Sequence, residues 1–139
     1  ASIALDYTRP DWADEVRAAL GGRAVTVVLD GVGGEHGRTA LELLEPGGRL
    51  LLFGWSAGEP VRLDAWDVVG RGITVAPAVG PKLLNRPGGL RELEAHAIAA
   101  AADGELVPVV SASFPLAKAS DAHAALESRG TVGKVVLKP

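Results

Sequence analysis

The residues of this chain whose types and spacing could do chemistry are few, and most of them are glycines. Asp30-Gly31-Val32-Gly33-Gly34 places an acid at the end of an apolar run and follows it with bendable backbone. Phe53-Gly54-Trp55-Ser56-Ala57-Gly58 repeats the arrangement without the acid. Turns of this kind leave backbone N–H groups exposed beside a helix N-terminus, where the helix dipole favours an anion. The plain alternative is that strand-to-helix turns use glycine for its permissive φ. Side-chain chemistry has less support. The chain has no cysteine, hence no thiolate nucleophile, no disulfide and no cysteine-based metal site. His36, His96 and His123 are too scattered for a ligand set, so no metal is expected. Ser111, Ser113 and Ser120 have no base at a recognisable spacing, which leaves hydrolase chemistry without footing. No residue stands out as catalytic. Asp30 is expected to accept hydrogen bonds from the turn that follows it, with direct ligand contact as the lesser alternative. Tyr7, the sole tyrosine, is either a packed aromatic or a ligand contact.

The elements that must position these residues follow from periodicity. Thr8 and Asp11 fit a capping-box spacing, and Trp12, Val16, Ala19 and Leu20 recur on one helical face over residues 8–20, ending at Gly21-Gly22. Residues 24–29 are a nearly continuous β-branched run, the pattern of a parallel strand buried on both faces. A helix over 35–45, closed by Pro46-Gly47-Gly48, leads to a second apolar run at 49–53, completing a βαβ unit. A short helix over 63–69, a strand over 73–79, a Gly/Pro-rich loop over 80–89 and a helix over 90–103 come next. The tail reads as a strand over 106–110, a helix opened by Phe114-Pro115-Leu116 and running to about Ser128, and a last strand over 132–137. Trp12 and Trp66 fall on apolar helix faces and are expected in the core. Strands alternating with helices imply a largely parallel sheet, because a parallel neighbour needs a crossover. The glycine corners after the first two strands, and the Pro77–Gly80 turn after the third, then share one rim, which suits a flat, extended ligand.

Composition narrows the partners. Lys+Arg 14 against Asp+Glu 17 gives a net charge of −3, with 47% hydrophobic and 22% charged residues among 139. This is an ordinary globular domain with no Lys/Arg run, so neither nucleic acid nor an anionic membrane surface is an expected partner. The longest apolar runs, such as 97–102, fall far short of the ~18 residues of a membrane span. With no signal-peptide pattern the chain reads as cytoplasmic. The absence of methionine and the abrupt start at Ala1 suggest a fragment.

Two nucleotide-type resemblances compete. Asp30 with its glycines, and Pro46-Gly47-Gly48-Arg49-Leu50, look like two motifs of S-adenosylmethionine-dependent methyltransferases. In that fold several strands and helices separate the two motifs, whereas here only residues 31–45 intervene, and the second strand ends Phe53-Gly54 rather than in an acid. The other resemblance covers almost the whole chain. Asp6-Tyr7-Thr8, Val27-Val28-Leu29-Asp30-Gly31-Val32-Gly33-Gly34, Leu44-Glu45-Pro46-Gly47-Gly48-Arg49-Leu50, Phe53-Gly54-Trp55-Ser56-Ala57-Gly58, Phe114-Pro115-Leu116 with Ala122-His123, and Gly133-Lys134-Val135-Val136-Leu137 occur in order. The set resembles the C-terminal half of the quinone-oxidoreductase and zinc-free alcohol-dehydrogenase branch of the medium-chain dehydrogenases/reductases.

That resemblance implies an α/β fold class: a partial Rossmann-like parallel sheet, the second half of a doubly wound domain, with a C-terminal α/β segment. Residues 1–139 would form a single domain, an incomplete NAD(P)-binding unit whose tail from about 106 to 139 belongs to the catalytic domain. The implied function is the cofactor-binding portion of an oxidoreductase passing hydride from NADPH to a quinone, enone or similar carbonyl. Carried over by residue, Tyr7 lies beside the adenosine ribose and its 2′-phosphate, which favours NADPH over NADH. Gly31, Val32 and Gly33 pass along the cofactor, and Phe53, Gly54 and Ser56 lie beside the nicotinamide ribose and carboxamide. The loop from Val79 to about Asn85 faces a small-molecule substrate, and Ile73 to Ala76 is where a homodimer would extend the sheet. The family's Gly-rich pyrophosphate turn is not in this sequence, so the isolated chain is expected to bind weakly and to be inactive. Gly31 stands where a polar side chain is common in the family, and Trp55 adds bulk near the nicotinamide rim. The alternative reading is a non-catalytic fragment or stand-alone module acting in dimerisation or assembly.

Overall fold

A computed structural model describes all residues, Ala1–Pro139. They group into two compact units, Ala1–Asn85 and Arg86–Pro139.

The first unit contains α1 (Trp12–Leu20), β1 (Val25–Asp30), α2 (Gly34–Leu43), β2 (Leu44–Leu52), α3 (Ala65–Val69), β3 (Thr74–Pro77) and α4 (Pro81–Leu84). β1, β2 and β3 form one sheet in that order, both pairings parallel. The second unit contains α5 (Gly89–Ala102), β4 (Val110–Pro115), a 3-10 turn (Leu116–Lys118), α6 (Ala119–Glu127) and β5 (Lys134–Lys138), with β4 and β5 paired in parallel. The expected mixed α/β class with parallel strands is the one found.

The first unit's core is small: Leu41, Leu44, Leu50, Val61 and Ile73, with Val25, Val28, Leu52 and Val75 packed against it. Leu41 and Leu50 are fully buried, and truncating such a side chain costs about 2–5 kcal/mol. The expectation that β1 is buried on both faces fails. Val28 packs on the core and Asp30 is buried, but Val27 and Leu29, which alternate with them, are exposed, because only one face of the strand is covered.

Several boundaries also move for local reasons. α1 starts at Trp12 rather than at 8, since Thr8 is engaged elsewhere: its amide and hydroxyl donate to Asp6 Oδ1 at 2.9 and 2.7 Å. Asp11 occupies the N-cap without a side-chain cap bond. The Pro46-Gly47-Gly48 segment does not follow a helix but lies inside β2, which already pairs at Leu44 and breaks register before Arg49. The expected loop after β3 contains the single turn α4.

In the tail, the strand expected over 106–110 is found at Val110–Pro115, and Phe114-Pro115 closes it instead of opening a helix. Pro108 has no N–H for a ladder, and pairing with β5 begins only where the Lys134 amide donates to Val109 O at 2.7 Å. Trp66, expected in the core, is 74% exposed; the five-residue α3 turns Asp67 inward instead.

Candidate functional site

The site is built on the C-terminal ends of three adjacent parallel strands. Asp30 pairs with Leu52 and Leu52 with Pro77, so the chain leaves β1, β2 and β3 on one edge and at one level. The two glycine corners therefore meet, as the sequence pattern required. They are laced by backbone: Phe53 N donates to Asp30 O at 2.9 Å, Ser56 N to Gly31 O at 3.1 Å, and Ala57 N to Val32 O at 2.8 Å. A side chain at Gly54 would come within 3.1 Å of Gly31 O. The two turns thus form one surface rather than two separate loops.

Asp30 sets the shape of the first corner. It is 4% exposed, and its Oδ1 accepts from Val32 N at 2.9 Å and Gly33 N at 3.0 Å, the role expected of it. Its Oδ2 has no hydrogen-bond partner and lies against Gly37, where a Cβ would stand 2.7 Å away. Gly33 sits at φ +71 with no room for a side chain beside Glu59 O and Trp55, and Gly34 N donates to Glu59 O at 3.0 Å. The chain after the second corner is thereby tied to the start of α2.

The absence of a polar side chain at Gly31 has a steric cause. The Phe53 ring occupies that space, and a Cβ on Gly31 would lie 2.5 Å from Phe53 Cε2. Phe53 and Trp55 remain 65% and 60% exposed; together with Leu52, Val75, Pro77 and Val79 they line an apolar recess of about 500 Å³ beyond β2 and β3. Val79 is therefore brought to the same recess as Phe53, whereas Ser56 is exposed and engages the corner through its backbone.

Tyr7 lies in a different recess, about 160 Å³, at the end of β1. There it shares the lining with Trp12, Asp30, Val32, His36 and Ala40, its ring edge-on to His36 with centroids 5.2 Å apart and planes at 69°. The Thr8 hydroxyl and amide beside it hold the Asp6 carboxyl below the usual carboxylate range. His36 was not among the residues singled out for this site, since a pair 29 positions apart carries no sequence signal.

A network behind α2 fixes its orientation. Arg38 donates to the Asp67 carboxylate and to Glu42, and Asp67 closes a capping box with Asp64, their reciprocal bonds measuring 2.9 and 3.0 Å. The Arg38 guanidinium, more than the Asp64 amide, keeps the Asp67 carboxyl below its ordinary value, and Asp67 in turn raises Arg38. Neither group faces the recesses.

Comparison with known proteins agrees with this geometry. Residues 1–137 match the zinc-binding dehydrogenase family. A 2-haloacrylate reductase from a Burkholderia species is 31% identical over 97% of this chain and 41% of its own length, and the Pseudomonas aeruginosa quinone oxidoreductase is 28% identical over 97% and 42%. A mycobacterial protein solved with NADPH superposes at TM-score 0.80 with 32% identity, covering all of this chain and 43% of that one. Escherichia coli quinone oxidoreductase, also solved with NADPH, superposes at 0.79 with 26% identity, over 97% and 42%. The chain thus spans about two fifths of these relatives. The zinc in the family's description finds no fit in these residues, which include no cysteine and no converging set of three His, Asp or Glu side chains. By its match and by its fold, the chain belongs to the zinc-binding dehydrogenase family, in the quinone-oxidoreductase branch of the medium-chain dehydrogenases/reductases, and covers the C-terminal portion of such proteins.

Proposed function

We propose that this chain is the cofactor-binding portion of an NADPH-dependent oxidoreductase that passes hydride to a quinone, enone or similar conjugated carbonyl. The observation that carries the reading is the row of strand ends at Asp30, Leu52 and Pro77, with the two glycine corners laced across it. Ligands of open parallel sheets bind outside such ends. Recesses at the β1 end and at the β2–β3 end offer one place for an adenosine and another for a nicotinamide. The two neighbours solved with NADPH support the choice of NADP.

In this reading Tyr7 flanks the adenosine ribose, Gly31, Val32 and Gly33 run along the dinucleotide, and Phe53, Gly54 and Ser56 border the nicotinamide ribose and carboxamide. Reduced nicotinamide supplies the hydride. The chain's own part is to orient the ring and exclude water: Phe53, Trp55, Pro77 and Val79 present carbon to a flat acceptor, and a direct hydride transfer asks no acid–base pair of them. Residues 1 to about 105 then belong to the nucleotide-binding domain and about 106 to 139 to the catalytic domain. The open edge of β1 is where the rest of that nucleotide-binding domain would pack. The other open edge, on β3, supports a homodimer through the backbone of Thr74–Pro77; the adjoining Ile73 side chain is committed to the core.

Titrating the chain with NADPH and NADH while following tryptophan emission tests the reading. Saturable quenching through Trp55, tighter for NADPH, is the expected result. No response to either nucleotide at millimolar concentration, together with unchanged turnover when Ser56→Trp is placed in a full-length parent enzyme, would overturn it.

A further inference from the structure

Residue 31 has no side chain, and the space one would fill is taken by a ring from the neighbouring strand end. A Cβ built on Gly31 would lie 2.5, 2.6 and 3.3 Å from Cε2, Cζ and Cδ2 of Phe53, so the edge of that ring rests on the Gly31 backbone. The root of the ring cannot retreat. Phe53 N donates to Asp30 O at 2.9 Å, and the carbonyl of the preceding Leu52 accepts from Ala78 N at 2.8 Å, which ties down the backbone that carries it. Gly31 is not among the glycines with positive φ, so its backbone suits any residue and the nearest atoms a side chain would meet are those of the ring. Such a side chain is accommodated by turning Phe53 about its χ angles. The same ring is part of the wall of the apolar recess of about 500 Å³, together with Trp55 and Val79, and none of the side chains lining that recess is charged.

We propose that Gly31 is a specificity-determining residue: by giving the Phe53 ring a seat on the first corner it keeps the recess open to a flat, uncharged carbonyl compound of two fused rings. A side chain at this position would turn the ring into the recess and leave room for a single ring. The inference rests on the reading that the hydride acceptor enters this recess, and deepens it by naming the acceptor's size and charge. A volume of about 500 Å³ lies in the range of pockets that enclose whole small molecules, and a lining without charge leaves a carboxylate unpaired. Gly31 acts through Phe53 and needs no contact with the acceptor. The homodimer proposed through β3 uses backbone groups of that strand and asks nothing of Phe53, Trp55 or Val79.

Acetophenone and 2-acetylnaphthalene, both neutral aryl ketones, differ by one fused ring and measure this directly. NMR titration of the whole 15N-labelled chain, followed at the amides of residues 53–58 and 79, should show the naphthyl ketone binding roughly five- to tenfold more tightly, the share of the second ring's buried apolar surface. In Gly31→Ala that preference should fall below about twofold, since the displaced ring takes the space the second one needs. Phe53→Leu should keep the preference, and Gly31→Ala combined with Phe53→Leu should restore it, which a general loosening of structure would not do. An upfield ring-current shift of the Gly31 α-protons, present in the native chain and lost in Phe53→Leu, reports the seat itself; its absence from the native chain would overturn the inference. A Gly31→Ala chain that keeps the native ratio would show the ring turning to solvent, and the inference would be wrong while the recess stands; equal affinity of the native chain for the two ketones would have the same meaning. Should Gly31→Ala alone not fold, loss of the preference in the double variant would overturn the inference by showing that residue 31 acts without Phe53. If the native chain binds neither ketone at millimolar concentration, the recess is not the acceptor's place, and that reading falls together with this inference.

Discussion

Removing the Asp30 carboxylate should destabilise the first unit by an amount that the structure allows to be worked out. In Asp30→Ala the amides of Val32 and Gly33 lose the Oδ1 that both use, at 2.9 and 3.0 Å. Gly33 is buried, so its donor pays close to the full cost of an unsatisfied amide, about 1–3 kcal/mol; Val32 is half-buried and water recovers part of its share. Loss of Oδ2, a buried oxygen without a partner, returns some of that energy. The net expectation is a loss of about 2 kcal/mol. Asp30→Asn keeps one acceptor for the two amides but points an NH2 at Gly37 with nothing to receive it, so its loss should be about 1 kcal/mol. Gly37→Ala attacks the same contact from the other side. Its Cβ would stand 2.7 Å from Oδ2, and the carboxylate cannot swing away without releasing both amides. Overpacking of this kind costs about 1–3 kcal/mol. Trp12, Trp55 and Trp66 all lie in Ala1–Asn85, so urea unfolding followed by tryptophan emission reads this unit. A change below about 0.5 kcal/mol for Asp30→Ala, or an equal loss for Asp30→Asn, would refute the claim that Oδ1 organises the corner.

Two further outcomes follow from the corner and from the network behind it. Gly33→Ala combines a positive φ with a clash against the Glu59 carbonyl and should cost more than about 3 kcal/mol, whereas Gly58→Ala, at φ +96 with open space around it, should cost about 1 kcal/mol; equal losses in denaturant titrations would show that the clash is relieved at no cost. Asp67 is held below its ordinary 3.8 by Arg38, so its contribution is complete above the unfolded value and drains away as pH falls through the folded one; Arg38, raised by its bond to Asp67, stays charged throughout this range. The urea midpoint of the native chain should therefore fall between about pH 5 and pH 3, and Arg38→Met should flatten that slope; an unchanged slope would show that the pair does not govern acid stability.

Much of this arrangement was legible in residue order. β1, the corner after it, α2 and the parallel pairing all follow from an apolar run, an acid, spaced glycines and a helical repeat, because each signal is local and the crossover rule converts them to a shared rim. The misplaced elements show where local signals stop. Leu106-Val107-Pro108-Val109-Val110 is an apolar stretch of the tail, yet the ladder begins only at its last residue, Val110, since hydrogen-bond donors rather than hydrophobicity decide where pairing begins. Trp66 falls on an apolar face in the sequence pattern, but a five-residue helix has room to bury one direction, and the Arg38 and Asp64 bonds give that direction to Asp67. The Tyr7–His36 contact had no signal at all. It joins a segment before α1 to the start of α2, and such a pair becomes visible only once the sheet has set the two ends side by side.

The small core explains why the site depends so heavily on polar contacts. Five buried apolar side chains cannot by themselves fix the position of α2, whose first turn carries Gly34 and His36 and whose end carries Leu41. Four separate ties do so. The start of α2 is held by Asp30 through the Val32 and Gly33 amides and by Glu59 O through Gly34 N; its flank is held by Arg38 on Asp67; its end is held by the Arg71 guanidinium, which donates to Leu41 O and Leu44 O. Each tie joins α2 to a different later or earlier segment, so loosening any one of them tilts the helix rather than simply removing a contact. A rim made of glycine has little side-chain packing to keep its shape, and its geometry must be imposed from outside. Asp30 does this from a buried position beneath the corner, while Arg38, Asp67 and Arg71 act on the flank and end of α2, which leaves the corner's own surface close to bare backbone.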